Sequence, residues 1–131
     1  MSAPAPQLQP TVLLVDDEEL LRWALARALE NRGYRVVTAE DGAAAWKLLQ
    51  TASDSISAIV TDVTMPNMDG RELAARVATL PQAPPVILIS GQPQDASTLG
   101  RPFLPKPFHP DELASVLTQV LRNVTGDRSA R

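Results

Sequence analysis

Three stretches of this sequence leave little freedom in what it can fold into. Val12-Leu13-Leu14-Val15 and Val86-Ile87-Leu88-Ile89 are apolar at every position, and Ser57 to Val63 is mostly apolar and rich in β-branched residues. A strand with one wet face alternates apolar and polar side chains. An uninterrupted run of this length is a strand covered on both faces. Arg35 to Ala39 reads as a further strand, and Phe103-Leu104 as a short fifth. Between these runs the period changes from two to three or four. Leu20, Leu21, Ala24, Leu25, Ala28 and Leu29 share one face of a helix over 20–31, with Gly33 as its stop. Trp23 falls on the opposite side. Ala45, Leu48 and Leu49 are the buried residues expected of a helix over 43–50, with Trp46 partly buried. Asp69 suits the N-cap of a helix over 70–80, which Pro81, Pro84 and Pro85 terminate. Pro110 opens a last helix over 111–123, with Leu113, Val116, Leu117, Val120 and Leu121 as its stripe.

Strands buried on both faces and alternating with helices imply an α/β fold, a doubly wound parallel sheet with helices on both sides. For five strands the expected arrangement is flavodoxin-like, in the order 2-1-3-4-5. The chain has 131 residues and 44% hydrophobic residues, enough for one domain, expected over 11–124. Residues 1–10, with Pro4, Pro6 and Pro10, are expected to form a disordered tail, and 125–131 another. The net charge of -3 argues against nucleic acid as a direct partner. There is no cysteine, which excludes disulfides and thiol chemistry. Neither a signal peptide nor an apolar run long enough to span a bilayer occurs, so the expectation is a cytoplasmic protein without membrane contact.

In such a sheet the C-terminal strand ends form one edge. The first strand ends in Asp16-Asp17-Glu18-Glu19, the third carries Asp62 near its end, the fourth is followed by Ser90-Gly91, and the fifth by Lys106. The acids Glu18 and Glu19 suit a helix N-terminus, where the macrodipole is positive. Asp16 and Asp17 are less well explained that way. Topology brings Asp16, Asp17, Asp62, Ser90 and Lys106 to one cleft. Three carboxylates together resist ionisation without a counter-charge. A hard divalent cation such as Mg²⁺ meets that need, and Lys106 adds a second positive charge. A site of this composition suits phosphoryl transfer, with a carboxylate as nucleophile.

The segments Val15-Asp16-Asp17-Glu18, Asp62-Val63-Thr64-Met65-Pro66-Asn67-Met68-Asp69-Gly70, Ser90-Gly91 and Phe103-Leu104-Pro105-Lys106-Pro107-Phe108 together resemble the receiver domain of the two-component response regulators. The likeness covers about residues 11 to 124. It implies that Asp62 accepts a phosphoryl group from a histidine kinase or a histidine phosphotransfer protein. It also implies that the domain assists its own phosphorylation and dephosphorylation rather than acting as an enzyme. Asp16, Asp17 and Asp62 would form the acidic pocket. Asp17 and Asp62, with the Thr64 carbonyl, would bind Mg²⁺, and Asp16 would hold a metal-bound water. Ser90 would bond one phosphoryl oxygen and Lys106 another. Ser90 and Phe103 would form the switch, Gly91 would leave room for the phosphoryl group, and Lys106-Pro107 is a cis candidate. One departure is visible. The family carries a full helix between the switch hydroxyl and the lysine. Here the residues at 92–101 are poor helix formers, so a shortened helix or a mobile loop is expected.

A flavin-binding relative of the fold would need a hydroxyl- and glycine-rich phosphate loop where Asp16 to Glu19 stand. A phosphatase with an aspartyl nucleophile commonly has a second acid two residues on, and here that position is Thr64. The remaining alternative is a degenerate receiver acting only through protein–protein contacts. The chain is expected to be a stand-alone receiver, or one cut from a hybrid kinase, with its downstream target undetermined. The first helix, with Trp23, is the expected docking surface for the kinase. His109, the only histidine, reads as an exposed residue at a helix start.

Overall fold

The computed structural model describes residues 9–94 and 100–129. Five parallel strands, β1 (Thr11–Val15), β2 (Arg35–Ala39), β3 (Ala58–Asp62), β4 (Val86–Ser90) and β5 (Phe103–Pro105), lie in the order β2-β1-β3-β4-β5. Among the described residues α1 (Glu19–Glu30), α2 (Gly42–Ala52), with a 3-10 turn at Ser53–Ser55, and α3 (Gly70–Val77) connect the first four strands in turn, and α4 (Pro110–Ser129) follows β5. This is the predicted sheet. The chain leaves β1 toward β2 on one side and returns to β3 on the other, which opens a crevice above the ends of β1 and β3.

The apolar runs are buried as their composition requires. Every residue of β3 and β4 is buried, and so are Val12 to Val15 of β1. Successive side chains point to opposite faces, so the sheet feeds two cores. Leu13, Val15, Ile59 and Leu88 pack with Ala45 and Leu49 of α2 and Leu73 and Val77 of α3. Val12, Leu14, Val60, Ile87 and Ile89 pack with Leu25 and Leu29 of α1 and Leu113 and Leu117 of α4. Asp41 and Asp69 cap α2 and α3 by accepting from the Ala44 and Glu72 amides, each at 2.8 Å. At the start of α4, the Glu112 carboxylate accepts from the His109 amide at 2.8 Å and His109 Nδ1 accepts from the Asp111 amide at 3.1 Å. The exposed His109 is thus a helix cap.

Some expectations need correction. Leu20 is 83% exposed and Ala24 is exposed too. The buried stripe of α1 runs through Leu25 and Leu29, and Leu20 stands in the first turn, at the rim where the strands have ended and no layer covers it. Helix α3 stops at Val77 and tightens, with the Thr79 and Leu80 amides bonding the Arg76 and Val77 carbonyls three residues back. Helix α4 continues to Ser129, so 125–129 are helical rather than a disordered tail. Thr125 and Gly126 are poor helix formers, but neither blocks propagation of a helix already formed, as a proline would. The expected tail over 1–8 and residues 95–99 of the expected loop lie outside the described residues. At 92–94 and 100–101 the chain forms neither helix nor strand.

Candidate functional site

The sheet's hydrogen bonding runs one step past the strand ends and fixes the rim. The Asp16 amide bonds the Ala39 carbonyl at 3.2 Å, the Val63 amide the Ile89 carbonyl at 2.8 Å, and the Lys106 amide the Ser90 carbonyl at 2.8 Å. Asp16, Asp62 and Ser90 are buried, whereas Asp17 and Thr64 are exposed. Asp17, Asp62, Thr64, Ser90 and Lys106 line one cleft of about 310 Å³, together with Glu18. Gly70 lets the following turn fold back onto this edge. Its amide donates to the Val63 carbonyl at 2.8 Å, and a Cβ there would collide with the Asp62 carbonyl. Asn67 takes the left-handed conformation (φ 71°) that its short polar side chain tolerates.

Lys106 is the electrostatic centre. Its Nζ donates to Asp16 Oδ2 at 2.9 Å, Glu18 Oε1 at 2.9 Å and Asp62 Oδ2 at 3.2 Å. Burial pulls the ammonium pKa down. Hydrogen bonds to Asp16 and Glu18 and the charges of Asp16 and Asp62 outweigh that and leave it above its ordinary value. For Asp62 the balance falls the other way. Burial raises its pKa, the Lys106 charge lowers it, and the neighbouring Asp16 charge raises it again, so the net shift is upward. Asp62 is a desolvated carboxylate held by one cation among other acids.

Asp16, Asp17 and Asp62 each present a carboxylate oxygen within 4.8 Å of the others. Hard oxygen donors at this spacing fit Mg²⁺, which retains part of its water shell. The three are not equivalent. Asp16 has both oxygens engaged, Oδ1 by the Glu18 amide at 2.9 Å and Oδ2 by Lys106. Asp62 Oδ1 accepts only a long 3.4 Å contact from the Thr64 amide. Asp17 faces solvent.

On the other side of the cleft, Ser90 Oγ accepts from the Gln92 amide at 2.9 Å and meets Gln94 Nε2 at 3.5 Å. Gln94 in turn accepts from Arg71 of α3 at 2.7 Å. Phe103 is half-buried against the α2–α3 core. Gly91 is exposed, and a Cβ there would meet only the Lys106 side chain at 3.9 Å, so its smallness opens the mouth without relieving any clash. The Lys106-Pro107 bond is cis, as expected.

The structure thus gathers every expected site residue around one edge, with Phe103 behind it. It adds Glu18, which the sequence suggested only as a helix-terminal acid. Arg22 is also new, and its Nη1 donates to the Asp16 carbonyl at 2.6 Å. Its place, six residues past Asp16 on the first helix, carries no signal in the sequence. Gln94 could be suspected only from its closeness to Ser90 along the chain.

Known proteins match both sequence and fold. The sequence profile of the response regulator receiver domain matches residues 12–118. The sensor kinase CckA of Brucella abortus is 36% identical over 85% of this chain, which spans 12% of that protein. The response regulator receiver protein CpdR of the same organism is 33% identical over 84% of this chain, which covers 95% of it. The crystal structure of the receiver domain of the hybrid histidine kinase CckA superposes with a TM-score of 0.74 at 35% identity, covering 85% of this chain and 98% of that one. The chain belongs to the response regulator receiver domain family of two-component signalling. Members of this family are signalling phosphoacceptors rather than conventional enzymes, and they bind Mg²⁺ at an acidic pocket.

Proposed function

We propose that Asp62 is the phosphoacceptor, and that a histidine kinase or a histidine phosphotransfer protein is the donor. The observation that carries this reading is the position of Asp62, buried at the end of β3 with Lys106 Nζ 3.2 Å from one of its oxygens. An Asp62 oxygen attacks the phosphorus of a phosphohistidine, the P–N bond breaks, and the imidazole leaves with the electron pair and takes up a proton. Lys106 pairs with a phosphoryl oxygen and offsets the charge on the transferring group. Asp17, Asp62 and the Thr64 carbonyl would hold Mg²⁺, with Asp16 on a metal-bound water, because both Asp16 oxygens are held at 2.9 Å, by the Glu18 amide and Lys106, whereas Asp62 Oδ1 has only the 3.4 Å contact. The cation would supply further neutralisation of the charge on the transferring group.

Output would run through Ser90 and Phe103. A phosphoryl oxygen offers Ser90 a charge-assisted hydrogen bond in the modified state only. Ser90 then turns toward the cleft, and Phe103 moves in behind it. Donor docking would use the start of α1, where Leu20 (83% exposed) and Trp23 (60% exposed) stand beside the rim. Arg27 lies over the indole ring at 5.2 Å.

The test is incubation with acetyl phosphate followed by intact-mass measurement. A single phosphoryl adduct should form with Mg²⁺, fail in EDTA and be absent from Asp62→Asn. An adduct that survives in Asp62→Asn, or forms equally well in EDTA, sinks the reading. For docking, Trp23→Ala should slow transfer from the cognate kinase far more than from acetyl phosphate. Equal slowing assigns Trp23 to packing.

A further inference from the structure

Lys106 reaches three carboxylates at once, and the role of one of them, Glu18, is not explained by acceptor chemistry. Glu18 Oε1 lies 2.9 Å from the ammonium, as near as Asp16 and nearer than Asp62. An ammonium has three N–H donors, and all three are used. An arriving phosphoryl group therefore meets Lys106 only after one of these contacts gives way. Burial decides which. Asp16 and Asp62 are buried, and Asp16 would be left an unpaired charge away from water. The Glu18 side chain is 63% exposed, so water replaces Lys106 there at small cost. Glu18 occupies the N-cap position of α1, yet its side chain makes no capping hydrogen bond. Its carboxylate instead lines the mouth of the cleft.

We propose that Glu18 is a positioning residue that holds the Lys106 ammonium across the cleft mouth and disfavours free, doubly charged phosphoryl donors. The proposal rests on Asp62 being the acceptor. The negative charge of Glu18 repels an anion that must enter unaided, and the tether occupies the cation that would otherwise attract it. A protein donor is delivered by contacts outside the cleft, such as those available at Leu20 and Trp23, and so depends less on attraction at the mouth. Glu18 in this way biases the site toward a docked donor over small phosphorylated metabolites. On entry of the phosphoryl group, Lys106 releases Glu18 and keeps Asp16.

The experiment is the rate of phosphorylation of Glu18→Gln at saturating Mg²⁺, read by intact mass. With acetyl phosphate, a dianion, the rate constant should rise about three- to ten-fold at low ionic strength, the range for removing one charge a few ångströms away in a solvated site. The gain should shrink at high salt and be smaller with phosphoramidate, which carries less charge. Glu18→Asp, which keeps the charge at the mouth, should stay nearer to wild type. The exposed site makes folding of these variants secure, and thermal unfolding checks it. An unchanged rate overturns the proposal. So does a gain that ignores donor charge and salt, and so does a rise in the Mg²⁺ requirement with no change in donor rate, which would assign Glu18 to the metal. Adduct formation on Asp62→Asn is the separate control, because it would remove the acceptor reading itself.

Discussion

The two halves of the cleft are built differently. The acidic half rests on β1 and β3, two of the three inner strands of the sheet, and every residue of β3 is buried. The other half takes Ser90 from the end of the buried strand β4, but otherwise rests on β5, an edge strand of three residues, none of them fully buried, and on the residues that follow Ser90. Asp16 and Asp62 inherit the rigidity of a packed core. Ser90 Oγ is satisfied largely within its own turn, by the Gln92 amide. Such a division suits a site whose chemistry needs fixed charges and whose response needs groups with a second position available. A charge can be pre-arranged only where packing leaves it no alternative, and a two-state element needs contacts that exchange at low cost.

The largest effect should come from the packing itself. Ile59→Ala in β3 removes a fully buried side chain and should lower stability by about 3–4 kcal/mol, the range for such truncations. Leu104→Ala in β5 removes a half-buried one and should cost about 1–2 kcal/mol. Urea unfolding of both variants measures the difference. Equal losses would break the comparison.

Lys106 joins the halves, since it follows β5 yet bonds Asp16 and Asp62 across the cleft. Its side chain is 13% exposed. Lys106→Ala leaves buried carboxylates without their cation and should cost about 2–3 kcal/mol at neutral pH in EDTA. Mg²⁺ should restore more stability to this variant than it adds to the wild type. No Mg²⁺ response in thermal unfolding would contradict the placement of the metal among the acids.

Asp62→Asn should act in the opposite direction and raise stability at neutral pH without metal. The native Asp62 pKa lies above its ordinary value, so the folded state binds this proton more tightly than the unfolded chain. Stability from this group is therefore full below the ordinary carboxylate value and is lost as pH rises through the raised one. The advantage of Asp62→Asn should grow across the same window. Unfolding free energies of both proteins from acid to neutral pH in EDTA check this. An advantage that is constant with pH would mean that the effect is not ionic.

Parts of the molecule differed in how well the sequence foretold them. Strand order and the convergence of Asp16, Asp17, Asp62, Ser90 and Lys106 were legible because apolar runs admit one covered sheet and topology does the rest. The exposure of Leu20 was not. Helical period tells which side chains share a face, and it carries no information about where the neighbouring layer ends. The acid Glu18 satisfies the rule for helix N-termini and also reaches Lys106, and the sequence could not separate the two. The run of α4 to Ser129 was missed because Thr125 and Gly126 lower helix propensity, which is a weak term beside propagation from a packed helix.

The smallest effect concerns the looser half. Gln94 links Ser90, at 3.5 Å, to Arg71 on α3, at 2.7 Å, across an exposed edge. Neither contact is desolvated enough to contribute much, so Gln94→Ala and Arg71→Ala should each change stability by no more than about 0.5 kcal/mol. Their consequence should lie in response. If Ser90 turns toward a phosphoryl group, it leaves Gln94 and loosens its hold on the Gln92 amide. Exchange at Gln92 and near Phe103 should then change on saturation with beryllium trifluoride, while the amides of β1 and β3 stay protected. In Gln94→Ala one restraint on the resting Ser90 is already gone, so less of the mimic should suffice for the same change. Hydrogen exchange read by mass spectrometry, with the mimic titrated into wild type and variant, distinguishes the cases. A change of equal size in β3 would show that the acidic half moves as well. An identical titration for the two proteins would remove Gln94 from the response and leave Ser90 restrained by its own turn alone.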